Sequence, residues 1–223
     1  MITGLSQAMR KLATWQVLAV TAGVFVVFAV AFFATSLPFS IAHVTSLCGA
    51  PPPDVRFYTS ADEVTQFLTG CGEAGRAAYR DLQMADLFYP AVSGLFLASA
   101  LAVVLVRISR PGSPVIALAA LPLLGSAFDY LENIAAWSAL SAFPGSTDTA
   151  TSLLGVASIA KQAVSWASWL LLLIAVGCLL TRVLRQRHQD SKGRQPSATG
   201  PAAAPYPPSV TRSLVTTANR DRA

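Results

Sequence analysis

The sequence predicts an all-α polytopic membrane protein, a four-transmembrane-helix bundle with a short helical extracytoplasmic loop. Composition is the first observation behind this. Of 223 residues, 53% are hydrophobic and 12% charged, about half the roughly 25% charge of a soluble domain. That leaves too little polar surface for a water-facing protein, and a chain this apolar is not disordered over most of its length. Second, residues 15–41, 87–106 and 162–181 each run without a charge, over the roughly 20 residues an α-helix needs to cross about 30 Å of hydrocarbon. Third, Lys and Arg collect on alternate flanks of these stretches, as they do on the cytoplasmic side of membrane proteins.

The elements follow in chain order. Residues 1–14, with Arg10 and Lys11, form a cytoplasmic N-terminus ahead of the first span, 15–37. A cleaved signal peptide is the alternative there. The apolar stretch exceeds the usual h-region of about 7–15 residues and has no clear A-x-A site, so an uncleaved span is expected. Residues 38–86 form the extracytoplasmic loop, with three bases (Arg56, Arg76, Arg80) against six acids (Asp54, Asp62, Glu63, Glu73, Asp81, Asp86). The second span, 87–107, ends at Arg107, and Arg110 follows on the inside. The third, 115–140, is apolar until it meets Asp129 and Glu132. Charge decides that it crosses: otherwise the basic segment after the fourth span, 153–181, would lie outside. With four spans the inside flanks hold twelve bases and two acids, and the outside flanks three bases and seven acids. Both termini are then cytoplasmic, in a multi-pass protein of the plasma membrane.

Within the loop, Pro51-Pro52-Pro53 is extended and excludes helix. Ser60-Ala-Asp-Glu63 is a capping box that starts a short helix reaching about Thr69, and Gly70-Cys71-Gly72 ends it. A second helix over 73–87 meets no breaker before Pro90 and can run into the second span, with Pro90 bending it. Cys48 and Cys71 both fall outside, where a disulfide persists. Closing it would contribute roughly 3 kcal/mol; two free thiols are the alternative. Cys178, in the fourth span, reads as a small packing residue. The tail, 182–223, is rich in Arg, Pro, Ser, Ala and Thr and is expected to be disordered. Its basic cluster would lie against anionic lipid. The positive-inside rule already accounts for that cluster, so no nucleic-acid partner is expected.

Three ionisable residues stand apart from this pattern. Asp129, Glu132 and Asn133 occupy positions i, i+3 and i+4 of the third span and share one helix face, with Ser126 extending it. On the fourth span Ser158, Lys161, Ser165 and Ser168 form a polar stripe. Lys161 and Glu132 lie at matching depths, on the order of 12 Å from their helix ends, so antiparallel neighbours would bring Lys161 beside Glu132 and Asp129. One carboxylate would be protonated, or Arg76 or Arg80 would reach down to it. Asp86 and Tyr89 could join the same patch. Burying one such residue at mid-membrane costs about 2.5–3.5 kcal/mol, so it persists by pairing or by doing chemistry. Three roles follow. The cluster is an ion-pair knot that fixes helix packing; or Asp129 or Glu132 exchanges protons or a cation in a small transporter, with the bundle forming a homo-oligomer around a path; or the two acids serve as general acid and base toward a lipid or isoprenoid. Pro122 and Gly125, one turn before Asp129, read as a mild kink, although broken helices also line transporter sites.

Taken together, Gly75-Arg76-x-x-Tyr79, Asp86-x-x-x-Pro90, Asp129-x-x-Glu132-Asn133 and Lys161 resemble a pattern in a group of uncharacterised four-span bacterial membrane proteins. The resemblance covers about residues 56–182. It implies the same topology and singles out Arg76, Tyr79, Arg80, Asp86, Asp129, Glu132, Asn133 and Lys161 as the candidate functional cluster, and it implies no activity. H-E-x-x-H, G-x-S-x-G and P-loop signatures are absent. Two cysteines 23 positions apart with a lone His43 make no zinc site, so neither a metal nor a cofactor is expected.

Overall fold

The computed structural model describes residues 2–145 and 148–193. Among them the chain is helical and has no strand. In order come α1 (Ile2–Leu12), α2 (Trp15–Phe33), α3 (Ile41–Cys48), a 3-10 turn (Pro53–Val55), α4 (Ala61–Gly70), α5 (Gly72–Asp86), α6 (Tyr89–Ile108), a 3-10 segment (Pro114–Ala120), α7 (Leu121–Ala142) and α8 (Asp148–Gly193). Four stretches are long and apolar enough to cross a membrane: Trp15–Phe33, Gly72–Ile108, Pro114–Ala142 and Thr149–Gln189. Their outward faces fit lipid. Val20, Val26, Val27 and Val30 of α2 and Trp166, Leu170, Leu173 and Ile174 of α8 are all exposed, and apolar faces of that extent need a cover other than water.

The helices of the compact unit Met1–Leu184 pack around two cores. One joins residues 38–86, here called the cap, to the nearby ends of α7 and α8. Val44, Val64, Phe67, Leu68, Tyr79 and Leu82 meet Ala135, Ala136, Ala139, Leu140 and Leu154 there. At the other core, Met9 of α1 meets Leu101, Leu105, Ile116 and Ala175. The cap is pinned by a Cys48–Cys71 disulfide. A Cβ on Gly75 would stand 2.9 Å from both Cys48 Sγ and Cys71 Cβ, so the disulfide lies directly on α5 at a glycine.

Local chemistry explains the boundaries. The Ser60–Glu63 capping box is present in full, and α4 begins and ends within a residue or so of expectation. Two helices escaped the sequence reading. α3 is capped by Ser40, whose hydroxyl accepts from His43 N–H, and closed by Gly49 at φ +73°. α1, where the sequence predicts only an N-terminal flank, buries Met9 and partly buries Leu12.

Two expectations are corrected. The third span is not one α-helix from 115: its first turns are 3-10, and α7 begins at Leu121 with Pro122 in its first turn. Proline lacks the N–H and clashes with the preceding turn, so it fits where an α-helix starts rather than in its interior. The helix of the fourth span also continues through 182–193, which the sequence reading assigned to a structureless tail. That segment has no proline, and its three Arg and two Gln are good helix formers. The rest of the expected tail, 194–223, lies outside the described residues.

Candidate functional site

α7 and α8 run side by side and bring the sequence-predicted pair together. Glu132 is fully buried and accepts hydrogen bonds from the Ser158 hydroxyl and the Lys161 ammonium. Lys161 also pairs with Asp129 Oδ1 at 3.3 Å. Its third partner is the main-chain carbonyl of Asp54 in the cap, 2.9 Å away. These three contacts match the three N–H donors of an ammonium. A buried ion pair offsets its desolvation only when the remaining donors and acceptors are met, and here the lysine's are.

The cap reaches Lys161 through its proline run. Pro51–Pro53 cannot continue a helix and leads into the 3-10 turn Pro53–Val55. Thr59 Oγ1 donates to Pro53 O at 3.1 Å and closes the turn. The Asp54 side chain is buried and accepts from Tyr79 Oη at 3.0 Å and Gln83 Nε2 at 2.9 Å. Burial pushes the Asp54 carboxyl above its ordinary range; the Lys161 charge and the hydrogen bonds from its own backbone, Tyr79 and Gln83 pull it back. Glu63, exposed at the start of α4, goes the other way, held low by the Ser60 backbone and hydroxyl.

The α5–α6 junction is fastened to α7 by main-chain contacts. Asn133 Nδ2 donates to Asp86 O at 3.3 Å, Tyr130 Oη to Leu87 O at 3.0 Å, and Ser126 Oγ to Pro90 O at 2.6 Å. Pro90 has no N–H to offer the Asp86 carbonyl four residues back, which leaves that carbonyl open to Asn133. A Cβ on Gly94 would fall 2.0 Å from Ser126 Oγ, so α6 and α7 cross at a glycine.

Beside the cluster is a cavity of about 300 Å³. Asp54, Asp86, Asp129 and Lys161 line it, as do Phe25, Tyr89, Phe96 and Trp169, whereas Glu132 does not. Trp169 lies eight residues beyond Lys161 on α8, about 12 Å along the axis, so the wall grades from acidic to aromatic. The Phe25 and Phe96 rings stack at 4.7 Å, and Trp169 stands 6.3 Å from Phe96. Within the cavity Asp129 and Lys161 keep 13% and 15% side-chain exposure.

Not every sequence-predicted site residue joins. Asp86, Asp129 and Lys161 share the cavity, Glu132 sits behind it, and Asn133 and Tyr79 serve as props. Arg76 does not reach the acids: it donates to Leu68 O at 3.0 Å and lies over the Phe143 ring. Arg80 is exposed. Sequence reasoning missed Asp54 and Gln83 at the cluster and the aromatic wall. The six acids of the loop, or its proline run, could have drawn attention to it; nothing in the sequence pairs Asp54 with α8. Among the described residues no three His, Cys, Asp or Glu side chains could hold a metal ion. No family model matches this chain, and neither a curated protein nor a solved structure matches it.

Proposed function

We propose that this integral membrane protein is a small proton- or cation-coupled transporter, with Asp129 and Asp86 as the exchanging carboxylates. The observation that carries this is the division of the ionic cluster. Glu132 is sealed between Ser158 and Lys161 and serves as a fixed strut, while Asp129 and Asp86 line a cavity. A knot whose only task is packing would leave no acid on an accessible wall. An acid–base pair built from Asp129 and Glu132 is disfavoured for the same reason, since a substrate in the cavity would not touch Glu132. The positive-inside charge distribution supports an extracytoplasmic cap and two cytoplasmic termini.

The test is flux in proteoliposomes, read with a trapped pH dye under an imposed cation or pH gradient. Asp129→Asn and Asp86→Asn should each abolish or strongly reduce the flux, with the protein still folded by circular dichroism. Flux at wild-type rates in both variants would remove the reading.

A further inference from the structure

The chemistry left over at the cavity wall specifies what it can hold. Lys161 is the only Lys, Arg or His among the lining residues, and its three donors are engaged by Glu132, Asp129 and the Asp54 carbonyl. An anionic headgroup would therefore find no free cation. Ser126 and Ser93 also face the cavity, and both hydroxyls donate to Pro90 O, at 2.6 and 3.3 Å. The side chains of Tyr89, Gln162 and Ser165 supply neutral donors. Of the three lining carboxylates, Asp54 is held through both oxygens by Tyr79 and Gln83, whereas Asp129 meets Lys161 through Oδ1 alone and Asp86 has the neutral Asn133 as its side-chain partner. Those last two groups ask for a donor that carries positive charge.

The rest of the wall asks for an apolar body. Phe25, Phe96 and Trp169 form a contiguous aromatic surface, and such faces attract ammonium groups as well as hydrocarbon. Trp169 is 40% exposed and Phe33, also on the wall, 60%. The cavity thus reaches the surface of the bundle through α2 and α8, both apolar helices, where a molecule dissolved in lipid would meet it.

Resting on the reading of this cavity as a transport site, we propose that it takes an amphipathic organic cation, a primary alkyl- or arylammonium. The ammonium donates to Asp86 and Asp129, and the apolar part lies along Phe25, Phe96 and Trp169. A volume of about 300 Å³ accommodates a guest of the size of 4-phenylbutylamine and falls within the range of small-molecule pockets.

The experiment is calorimetric titration of the full chain in lipid nanodiscs, with empty nanodiscs as the blank. The probes are 4-phenylbutylammonium, 4-phenylbutanol and 4-phenylbutyrate. The ammonium should bind at least tenfold more tightly than the alcohol, and the carboxylate should not bind. Asp129→Asn should remove that preference while leaving the alcohol's affinity unchanged, and Trp169→Leu should weaken ammonium and alcohol alike. Equal affinity for ammonium and alcohol, or a preference that survives in both Asp129→Asn and Asp86→Asn, overturns the proposal. So does absence of binding by all three probes. In any of these cases, proton flux in proteoliposomes that still depends on Asp129 leaves the transport reading standing, so the two failures are told apart.

Discussion

Replacing Lys161 by methionine tests whether the ion cluster is a mutually dependent unit. The substitution keeps most of the side-chain volume and removes one charge and three contacts, to Glu132, Asp129 Oδ1 and Asp54 O. Glu132, fully buried, would keep Ser158 as its remaining described partner. Stranding one member of a buried ion pair costs about 3–5 kcal/mol, more than the pair itself contributes. For a chain of this size 1 kcal/mol corresponds to about 2–4 °C in Tm, so Lys161→Met should lower Tm by about 6–20 °C. The double variant Lys161→Met/Glu132→Gln leaves a neutral amide that still accepts from Ser158. It should recover part of the loss, with a coupling energy of about 1–3 kcal/mol. Tryptophan fluorescence during thermal unfolding in nanodiscs measures all four corners of the cycle. A Lys161→Met loss under about 0.5 kcal/mol, the range of a neutral surface change, or a double variant equal to the sum of the singles, would refute the strut.

Other outcomes follow from the same geometry. The Asp54 carboxyl is held above its ordinary range in the folded protein, so its stabilising contribution is present below the unfolded value near 4 and is lost as pH rises through the folded one. Asp54→Asn should therefore gain stability relative to wild type as pH rises from about 4 to 7, and parallel Tm profiles would contradict this. The change is tolerable because Gln83 Oε1 is buried and unpaired and, after an amide flip, can accept from the new Nδ2. Gly155→Ala would put a Cβ 2.7 Å from the Thr59 carbonyl and 2.8 Å from the Tyr58 ring. Lifting the cap from α8 should cost about 1–3 kcal/mol, read as lowered Tm and faster proteolysis of the segment near Tyr58. Cys48→Ser opens a crosslink with a sequence separation of 23 and should cost about 3 kcal/mol by the chain-entropy relation. Unchanged denaturant midpoints with and without reductant would exclude a structural disulfide.

The membrane-crossing stretches were legible because their signal is one-dimensional: about 20 residues without a charge. The contact of Lys161 with Asp129 and Glu132 was legible for a related reason. A short link between antiparallel helices fixes which depths face each other. α1 and α3 were hidden because helices this short are stabilised by the surfaces they land on, here the Met9 site at one end of the bundle and the disulfide-bound cap at the other. The role of Asp54 was hidden for a deeper reason. Its partner Lys161 is 107 residues away and is reached through a carbonyl, a group every residue carries. The aromatic wall was equally opaque, since Phe25, Phe96 and Trp169 belong to three spans whose hydrophobic residues look alike in sequence.

The position of the cap changes how the cost of the buried charges is counted. Insertion penalties of about 2.5–3.5 kcal/mol per residue refer to a charged group at the centre of a membrane helix. Here the α7 face beyond Glu132, through Ala135, Ala136, Ala139 and Leu140, is packed in a protein core with the cap. The ammonium of Lys161 is fully bonded, and Glu132 holds two donors. For those two groups, pairing offsets most of the desolvation, and packing alone is a sufficient account. Asp86 and Asp129 stand differently. Both line a cavity, and there the carboxylates outnumber the single lysine, whose charge is already shared with Glu132. Asp129 keeps its contact with Lys161, so the surplus of acid over base falls on the cavity wall; in the transport reading proposed above, a proton or a cation relieves that surplus.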